Sequence, residues 1–286
     1  MAMRDALAQL IAQYLAGHPC HRHWVVRPAP IPRRSGFSSA QWQRLLRRVT
    51  WEDPERREIA ESALSDLTRL APWSGSRDWR VIDRAILQDQ ARAVRADPSD
   101  DNLIRLWVAV RVWGGLSRFG PRHVRDGLED PALIDQLRTS ASAILAPPVD
   151  LSELCRGFTV AGTGLSYASK WFWAVSLAHH DADSTTGAEG WVRPLILDRR
   201  VRETLSLVAE HGGAAWTDPV DATGYRDYVE LLHDTVPLVG AQGQPIVDAE
   251  RIEWLLFDRR PWRRGRGREH DWTGEECFVD WLRRVR

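Results

Sequence analysis

The chain has 286 residues, 43% of them hydrophobic, so it can bury one large core or two packed subdomains. Its 39 basic and 39 acidic residues cancel, so a polyanion would have to bind a local basic patch. Three scattered cysteines exclude a disulfide framework and an iron–sulfur spacing, and no apolar run approaches the length of a membrane span. We therefore expect a cytoplasmic protein that makes no contact with a membrane.

Apolar residues recur at intervals of three and four along most of the chain, which is the pattern of amphipathic helices. The stripes consist of Leu7, Leu10, Ile11, Tyr14 and Leu15; Trp42, Leu45, Leu46 and Val49; Ile59, Ala63, Leu64, Leu67 and Leu70; Trp79, Ile82 and Ile86; Leu103, Leu106, Trp107, Val110 and Trp113; and Leu133, Leu137 and Ile144. Convincing alternation of the strand type is absent from the sequence. The pattern predicts an all-α fold with two helical subdomains flanking a cleft. We divide it into an N-terminal helical region at 1–100, a core at 101–256 and an arginine- and tryptophan-rich segment at 257–286.

A polar cap and a glycine pair mark a helical hairpin near the middle of the chain. Asp150, with Glu153 three residues later, begins one helix, and a second, apolar helix begins near Ser166. Between them lies VAGTG, residues 160–164. Glycine has no Cβ, so the backbone amides of such a turn can approach an anion closely, helped by the dipole of the following helix. The pattern is equally compatible with a turn that has only a structural role.

Lys170 is the only lysine in the chain, and every other Lys or Arg position is arginine. A desolvated lysine can lose its proton and act as a nucleophile, whereas arginine cannot. The alternative is a lysine that extends past Trp171 and Trp173 to reach solvent. A phosphate-binding P-loop is disfavoured, because Ser169 replaces its second glycine and Trp171 replaces its metal-binding hydroxyl.

A second motif, RPLILDRRVRETL at 193–205, places an aspartate at the start of an arginine-rich amphipathic helix. Asp198 follows three apolar residues and precedes an inward face of Val201, Leu205 and Val208. On its own this pattern predicts a helix N-cap.

Together the two motifs resemble the helix-hairpin-helix DNA glycosylase superfamily over about residues 150–210. VAGTG is similar to the Leu-Pro-Gly-Val-Gly-type hairpin of those enzymes, and LILDRRV is similar to their Pro-Ile/Val-x-Asp-x-x-Val segment. The resemblance implies a helix-hairpin-helix DNA-binding motif and places a glycosylase core within 101–256. The chain generally resembles the oxidised-guanine glycosylase-like group of the superfamily.

The resemblance assigns roles to both motifs. Gly162, Thr163 and Gly164 would grip a DNA backbone phosphate, with a monovalent cation, K+ or Na+, at their carbonyls and no other cofactor required. Asp198 would be the catalytic carboxylate, because an aspartate beside C1′ stabilises the oxocarbenium-like state in which the base departs. The target nucleotide must first be flipped out of the duplex, since stacking hides its glycosidic bond.

Ser166 falls at the position where bifunctional members of the superfamily carry their Schiff-base lysine. In this respect the chain resembles the adenine-excising branch, which has serine there and uses water. Lys170 lies one helical turn further along the same face, near the expected base pocket. It could be a relocated nucleophile or a hydrogen-bond donor to a flipped base.

Further contacts with the nucleotide are expected on both sides of these residues. Arg199 and Arg200 follow the aspartate directly and could reach phosphates beside the flipped nucleotide. Ala174 would line the base pocket, one turn beyond Lys170. The candidate aromatic residues of the pocket, or of a wedge in the duplex, are Trp107, Trp113, Trp216 and Trp254. Tryptophans at helical spacing are also typical of a core.

Near its C-terminal end the chain carries RRPWRRGRGR, residues 259–268, which has six arginines and no acid. This composition is typical of an electrostatic arm for phosphates, with Arg263 and Arg264 as cations and Trp262 available for stacking. It is also typical of a loop that only increases solubility.

A polar insert at 178–190 separates the hairpin from the aspartate motif, and this connection is longer than is usual in the superfamily. It contains His179, His180, Asp181 and Asp183. Two adjacent histidines cannot both point the same way, so we predict no metal site there.

The predicted function is excision of a modified base from double-stranded DNA by a monomer, leaving an abasic site. The base would be an oxidised purine, in repair, or a hypermodified phage base such as glucosylated hydroxymethylcytosine, in anti-phage defence. Two alternatives stay open. One is a bifunctional glycosylase and AP lyase that uses Lys170, and the other is a DNA-binding protein that kept the hairpin and lost the chemistry.

Overall fold

The computed structural model describes residues 2–17, 34–73, 78–115, 120–179, 192–214, 216–241 and 248–257. Helices dominate these residues, which confirms the predicted all-α class. The chain divides into two compact units, as the prediction of two helical subdomains requires. We call the unit with residues 2–17 and those from Leu195 onwards the terminal unit, and the unit from 34 to Pro194 the central unit. Within the described ranges, no helix is both long and apolar enough to cross a membrane.

The elements in chain order are α1 (Ala2–Gly17), β1 (Arg34–Ser38), α2 (Ser39–Leu46), α3 (Pro54–Thr68), β2 (Trp79–Asp83), α4 (Arg84–Ala96), α5 (Asp100–Gly114), α6 (Gly120–Leu128), α7 (Leu133–Leu145), α8 (Leu151–Gly157), α9 (Leu165–Ser176), a 3₁₀ turn (Leu177–His179), α10 (Arg199–Gly212), α11 (Ala222–Ala241) and α12 (Ala249–Phe257).

In the terminal unit, α1 packs against α10 and α11, and α12 contacts the same two helices. Of the predicted apolar stripe of α1, Leu7, Ile11, Tyr14 and Leu15 are buried and Leu10 is half-buried. Arg4 of α1 adds ion pairs to Glu230 (2.6 Å) and Asp234 (2.8 Å) of α11. The first helix is therefore held by α10 and α11.

In the central unit, α5 is the helix around which the others are arranged, and it contacts α3, α4, α7 and α9. Its buried residues run all the way round the helix: Leu103, Ile104, Leu106, Trp107, Val108, Ala109, Val110, Arg111 and Val112. Trp107 meets Trp171 of α9 edge to face, with 5.8 Å between ring centroids. The predicted stripe of α7 is also fully buried. A helix surrounded in this way provides a rigid base for α9.

A small antiparallel sheet is the main departure from the sequence prediction. β1 pairs with β2, with Arg34 opposite Asp83. Trp79 and Ile82 lie in β2 and Ile86 lies in α4, so the helical stripe predicted through these three residues is wrong. The side chain of Asp83 accepts the first-turn amides of α4, so the boundary between strand and helix falls inside the apparent stripe.

The helix-hairpin-helix predicted from the glycine motif consists of α8, a turn at 161–162, and α9. The side chain of Asp150 accepts hydrogen bonds from the amides of Ser152 (2.8 Å) and Glu153 (3.0 Å), so the predicted cap at the start of α8 is confirmed. A helix precedes the turn, whereas a P-loop requires a strand there.

The prediction divides the chain into three consecutive segments, 1–100, 101–256 and 257–286. The terminal unit, in contrast, is not one consecutive segment. The terminal unit combines residues from both ends of the chain, because α1 packs against α10 and α11. From the third predicted segment, only Phe257 is among the described residues.

Candidate functional site

The glycine turn has a backbone conformation and surroundings that only glycine fits. Gly162 has a φ of +64°, in the left-handed region that L side chains rarely adopt. A Cβ at this position would overlap the carbonyl oxygen of His123 on α6, and it would lie 2.8 Å from the His123 Cα. The turn therefore rests directly on the backbone of α6.

Side chains from outside the motif fasten the turn in place. The amide of Ala161 donates to Asp130 Oδ2 (2.7 Å), and the amide of Thr159 donates to Gln136 Oε1 (3.1 Å). Gly127 of α6 leaves room for the Ala161 carbonyl, because a Cβ at position 127 would lie 3.1 Å from that carbonyl oxygen. Sequence reasoning missed Asp130 and Gln136, because no local pattern links them to a turn more than twenty residues away.

The second hairpin glycine exposes the start of α9. Gly164 is the N-cap residue, and it has no side chain that could accept the first-turn amides. Apart from its chain neighbours, no atom of the described residues lies within 4 Å of the place where its Cβ would be. Thr163 stays within the turn, where its amide donates to the Val160 carbonyl (3.1 Å). Amides without a capping side chain at a helix start, beside an open approach, form a suitable anion-binding arrangement.

Lys170 lies in the second turn of the same helix, α9, and only 7% of the residue is exposed to solvent. Its Nζ donates to the hydroxyl of Ser166 (2.9 Å) and to the Ser166 carbonyl (3.2 Å), as the spacing of one turn predicts. The ammonium also lies 5.1 Å from the centre of the Tyr167 ring. The alternative of a lysine reaching solvent past Trp171 and Trp173 is wrong, since Lys170 and both tryptophans are buried.

A second buried cation lies beside Lys170, and sequence reasoning missed it. Arg111 of α5 is 1% exposed, with its guanidinium carbon 4.2 Å from the centre of the Tyr167 ring and 5.2 Å from that of Trp107. Burial lowers the pKa of Arg111 to about 10, so the side chain is still charged at neutral pH. None of its three side-chain nitrogens has a hydrogen-bond partner among the described residues. A lone arginine in an apolar stripe is the signal that could have revealed it.

Gly114 makes room for this arrangement at the end of α5. A Cβ there would lie 2.8 Å from Tyr167 Cε1 and 3.4 Å from Lys170 Cδ. The hydroxyl of Tyr167 donates to the Gly115 carbonyl (2.7 Å), which fixes the ring that both cations share.

In the terminal unit, Asp198 is the N-cap of α10. Its Oδ1 accepts a hydrogen bond from the amide of Arg200 (3.0 Å), so the predicted cap is confirmed, and the residue is half-buried. The three apolar residues before it are buried. Two tyrosines of α11 hold this segment: Tyr225 donates to the Leu195 carbonyl (2.9 Å) and Tyr228 to the Ile196 carbonyl (2.8 Å). Sequence reasoning missed both tyrosines.

The arginines after Asp198 are on the outside of α10. Arg199 pairs with Glu203 (2.6 Å) while its side chain is 88% exposed. The guanidinium of Arg200 lies 5.2 Å from the centre of the Phe257 ring. The predicted inward face of Val201, Leu205 and Val208 is buried, so the amphipathic pattern of this helix is confirmed.

The residues predicted to line a base pocket are mostly in the cores of the two units. Trp107 and Ala174 are 1% and 0% exposed, and Trp113 stacks on Trp173 at 5.2 Å between centroids. Trp254 is 7% exposed and stacks on Phe257 at 5.6 Å. In this structure Trp107 and Ala174 present no surface to a base, and their pocket role stays a prediction.

Several predicted residues lie outside the described ranges. These are Arg263, Arg264 and Trp262 of the C-terminal segment, and His180, Asp181 and Asp183 of the insert. His179 is described, and its pKa is lowered by burial and by the charge of Arg95. No group of three potential metal ligands is found among the described residues.

The candidate site residues thus fall into two groups. The hairpin glycines, Ser166 and Lys170 belong to the central unit, and Asp198 with its two arginines belongs to the terminal unit.

The family comparison covers both groups. A family model described as "Putative 8-oxoguanine DNA glycosylase OGG-like protein" matches residues 31–257. Comparison with curated proteins and with solved structures gives no match.

Proposed function

The chain belongs to the OGG-like DNA glycosylase family, and from this premise we propose that it flips a modified base out of duplex DNA and hydrolyses its N-glycosidic bond. The observation that carries the proposal is the hairpin. Gly162 fits only as glycine against the backbone of α6, and Gly164 leaves the amides at the start of α9 open to a phosphate.

Asp198 supplies the charge that this reaction needs. Departure of the base leaves positive charge on the sugar, and a carboxylate close to C1′ stabilises it and orients the attacking water. The amide of Arg200 binds one carboxylate oxygen, which fixes the orientation of the group. The exposed Arg199 is suited to a phosphate next to the flipped nucleotide.

Water is proposed as the nucleophile, so the product is an abasic site. Ser166 occupies the position at which bifunctional relatives carry lysine, and its hydroxyl and carbonyl both accept from Lys170. These two contacts direct the Lys170 side chain at the first turn of its own helix. Lys170 is then a positioning residue beside the pocket and not the attacking group.

Borohydride trapping tests this assignment. A Schiff-base intermediate is reduced to a stable covalent adduct between enzyme and DNA, whereas direct hydrolysis leaves nothing to trap. We expect no adduct with the wild-type protein on DNA from which it releases a base. A strong adduct that disappears in Lys170→Ala would establish the bifunctional alternative.

Two classes of base are the proposed substrates, and each has its own support. The family description supports an oxidised purine. The serine at the usual lysine position and the long connection between the two motifs support a bulkier, hypermodified base such as glucosylated hydroxymethylcytosine in phage DNA. Mass spectrometry of the bases released from a panel of oligonucleotides and phage DNA distinguishes them. DNA binding without release of any base would favour the non-catalytic alternative.

The hairpin is also proposed to hold K+ or Na+. The carbonyl oxygens of Gly162 and Thr163 accept no hydrogen bond within the described hairpin, and backbone carbonyls suit such ions. DNA affinity should fall when tetramethylammonium replaces K+ at constant ionic strength. We also propose that the protein acts as a monomer in the cytoplasm. Sedimentation measurements test the oligomeric state.

A further inference from the structure

A groove in the central unit carries four arginines that the proposed function does not use. It lies between α2 and α6 and has a volume of about 540 Å³. Its cationic residues are Arg44, Arg48, Arg122 and Arg125. Because the whole chain has a net charge of zero, four arginines around one groove are a local concentration of positive charge.

Two of these arginines have no ionic partner among the described residues. Neither Arg44 nor Arg48 makes a salt bridge or side-chain hydrogen bond there, and both are exposed. Arg44 is in the last turn of α2 and Arg48 lies two residues beyond its end, and both line the groove. Exposed cations without partners bind an incoming anion without first breaking an ion pair.

The other two arginines are only loosely paired. Arg122 is 3.5 Å from Asp126 and its side chain is 77% exposed. Arg125 is 3.7 Å from Asp126 and 3.8 Å from Glu129, and Glu129 already accepts the amide of Thr50 at 2.7 Å. Exposed pairs at such distances contribute little, so a phosphate could replace either carboxylate.

The groove shares a helix with the glycine hairpin. Arg122 and Arg125 flank His123 on α6, and the backbone of His123 is the surface on which Gly162 rests. The groove and the hairpin are therefore parts of the same unit, joined through one helix turn. A nucleic-acid strand held at the hairpin would pass close to α6.

We infer that this groove is a second phosphate-binding surface, which binds the DNA backbone beyond the nucleotide held at the hairpin. The inference rests on the proposed function, because it extends the DNA contacts of the same protein. Its ligand is the phosphate backbone, without sequence preference, since long arginines at an open groove provide charge and no base-specific geometry.

The salt dependence of DNA binding tests the inference. In the full-length protein, Arg44→Ala/Arg48→Ala removes the two unpaired cations. Each lost phosphate contact lowers the slope of log affinity against log salt concentration by about 0.9. The double variant should therefore show a slope smaller by roughly 2 and an affinity weaker by on the order of tenfold at moderate salt. Arg44→Lys/Arg48→Lys should keep most of the slope.

Arg47→Ala/Arg69→Ala is the matched control. It removes the same charge, and Arg47 is the C-cap residue of α2 but lines a different surface depression, with Glu61. Affinity and slope should stay near the wild-type values, and thermal unfolding should show both double variants folded.

Outcomes for the groove and for the proposed function are distinguishable. If Arg44→Ala/Arg48→Ala binds DNA with unchanged affinity and slope while the wild type binds and excises, the groove inference is overturned and the function stands. Equal losses in both double variants would also overturn it, since the effect would then be one of total charge. If the wild type binds no DNA, the groove inference and the proposed function both fail.

Discussion

Substituting the two hairpin glycines separately distinguishes a structural role from a role in binding. Gly162→Ala places a methyl group in a left-handed backbone position, which costs about 1–2 kcal/mol. The methyl also overlaps the backbone of His123, which cannot rotate away as a side chain would. Forced displacement of packed groups typically adds about 1–3 kcal/mol. We expect the free energy of unfolding to fall by roughly 2–5 kcal/mol and DNA affinity to fall at least tenfold.

Gly164→Ala adds the same methyl group two residues later, where φ is −73° and the described part of the chain places no atom within 4 Å beyond the chain neighbours. We expect a change in stability of only about 0.5 kcal/mol. Its methyl would occupy the space where a phosphate approaches, so DNA affinity should fall although the protein stays stable. Gly157→Ala, which is equally open, should be neutral in both respects. Urea unfolding followed by tryptophan fluorescence gives the stabilities, and fluorescence anisotropy gives the affinities. Equal stability losses in Gly162→Ala and Gly164→Ala would refute the reasoning.

Three further predictions concern groups around the site. Arg111→Met should raise the free energy of unfolding by about 1–3 kcal/mol, because it removes a buried charge with unsatisfied donors; a clear loss in urea unfolding would contradict this. Tyr225→Phe and Tyr228→Phe should each lower the free energy of unfolding by about 1–2 kcal/mol, because a buried carbonyl loses its hydrogen-bond donor. Each variant should also release the base more slowly. Unchanged rates of release would show that the segment before Asp198 needs no such support. Burial and the charge of Arg95 lower the pKa of His179, so on acidification the unfolded chain binds a proton before the folded protein does. The free energy of unfolding should therefore fall as the pH drops below about 6.5, and it should fall less in His179→Gln. Parallel pH profiles of unfolding for the wild type and this variant would refute the prediction.

Local patterns were sufficient to predict the parts of the fold that depend on local interactions. The caps at Asp150 and Asp198 were predicted because capping depends on one side chain and amides two or three residues later. The buried faces of α1, α7 and α10 followed from helical spacing. The relation of Ser166 to Lys170 followed in the same way, since residues four apart on a helix are neighbours.

Contacts between distant parts of the chain could not be predicted in this way. The pairing of α1 with α11 joins residues more than two hundred positions apart, so the make-up of the terminal unit was missed. Strand β1, with the sequence RSGFS, has no alternating pattern, and it is specified by its pairing with β2. The supports from Asp130 and Tyr228 likewise depend on tertiary packing. Arg111 resembles any other arginine until its burial is known.

The most direct test of the central claim is single-turnover base release by Asp198→Asn on a substrate that the wild type processes. Asparagine caps a helix as well as aspartate does, so the fold and DNA affinity should be retained while the charge beside C1′ is lost. Excision should slow by at least about a hundredfold. Asp221→Asn alters another helix-start aspartate of the same unit, which accepts the amide of Gly224 at 2.8 Å, and should excise at the wild-type rate. Excision at the wild-type rate by Asp198→Asn, with DNA binding intact, would contradict the account.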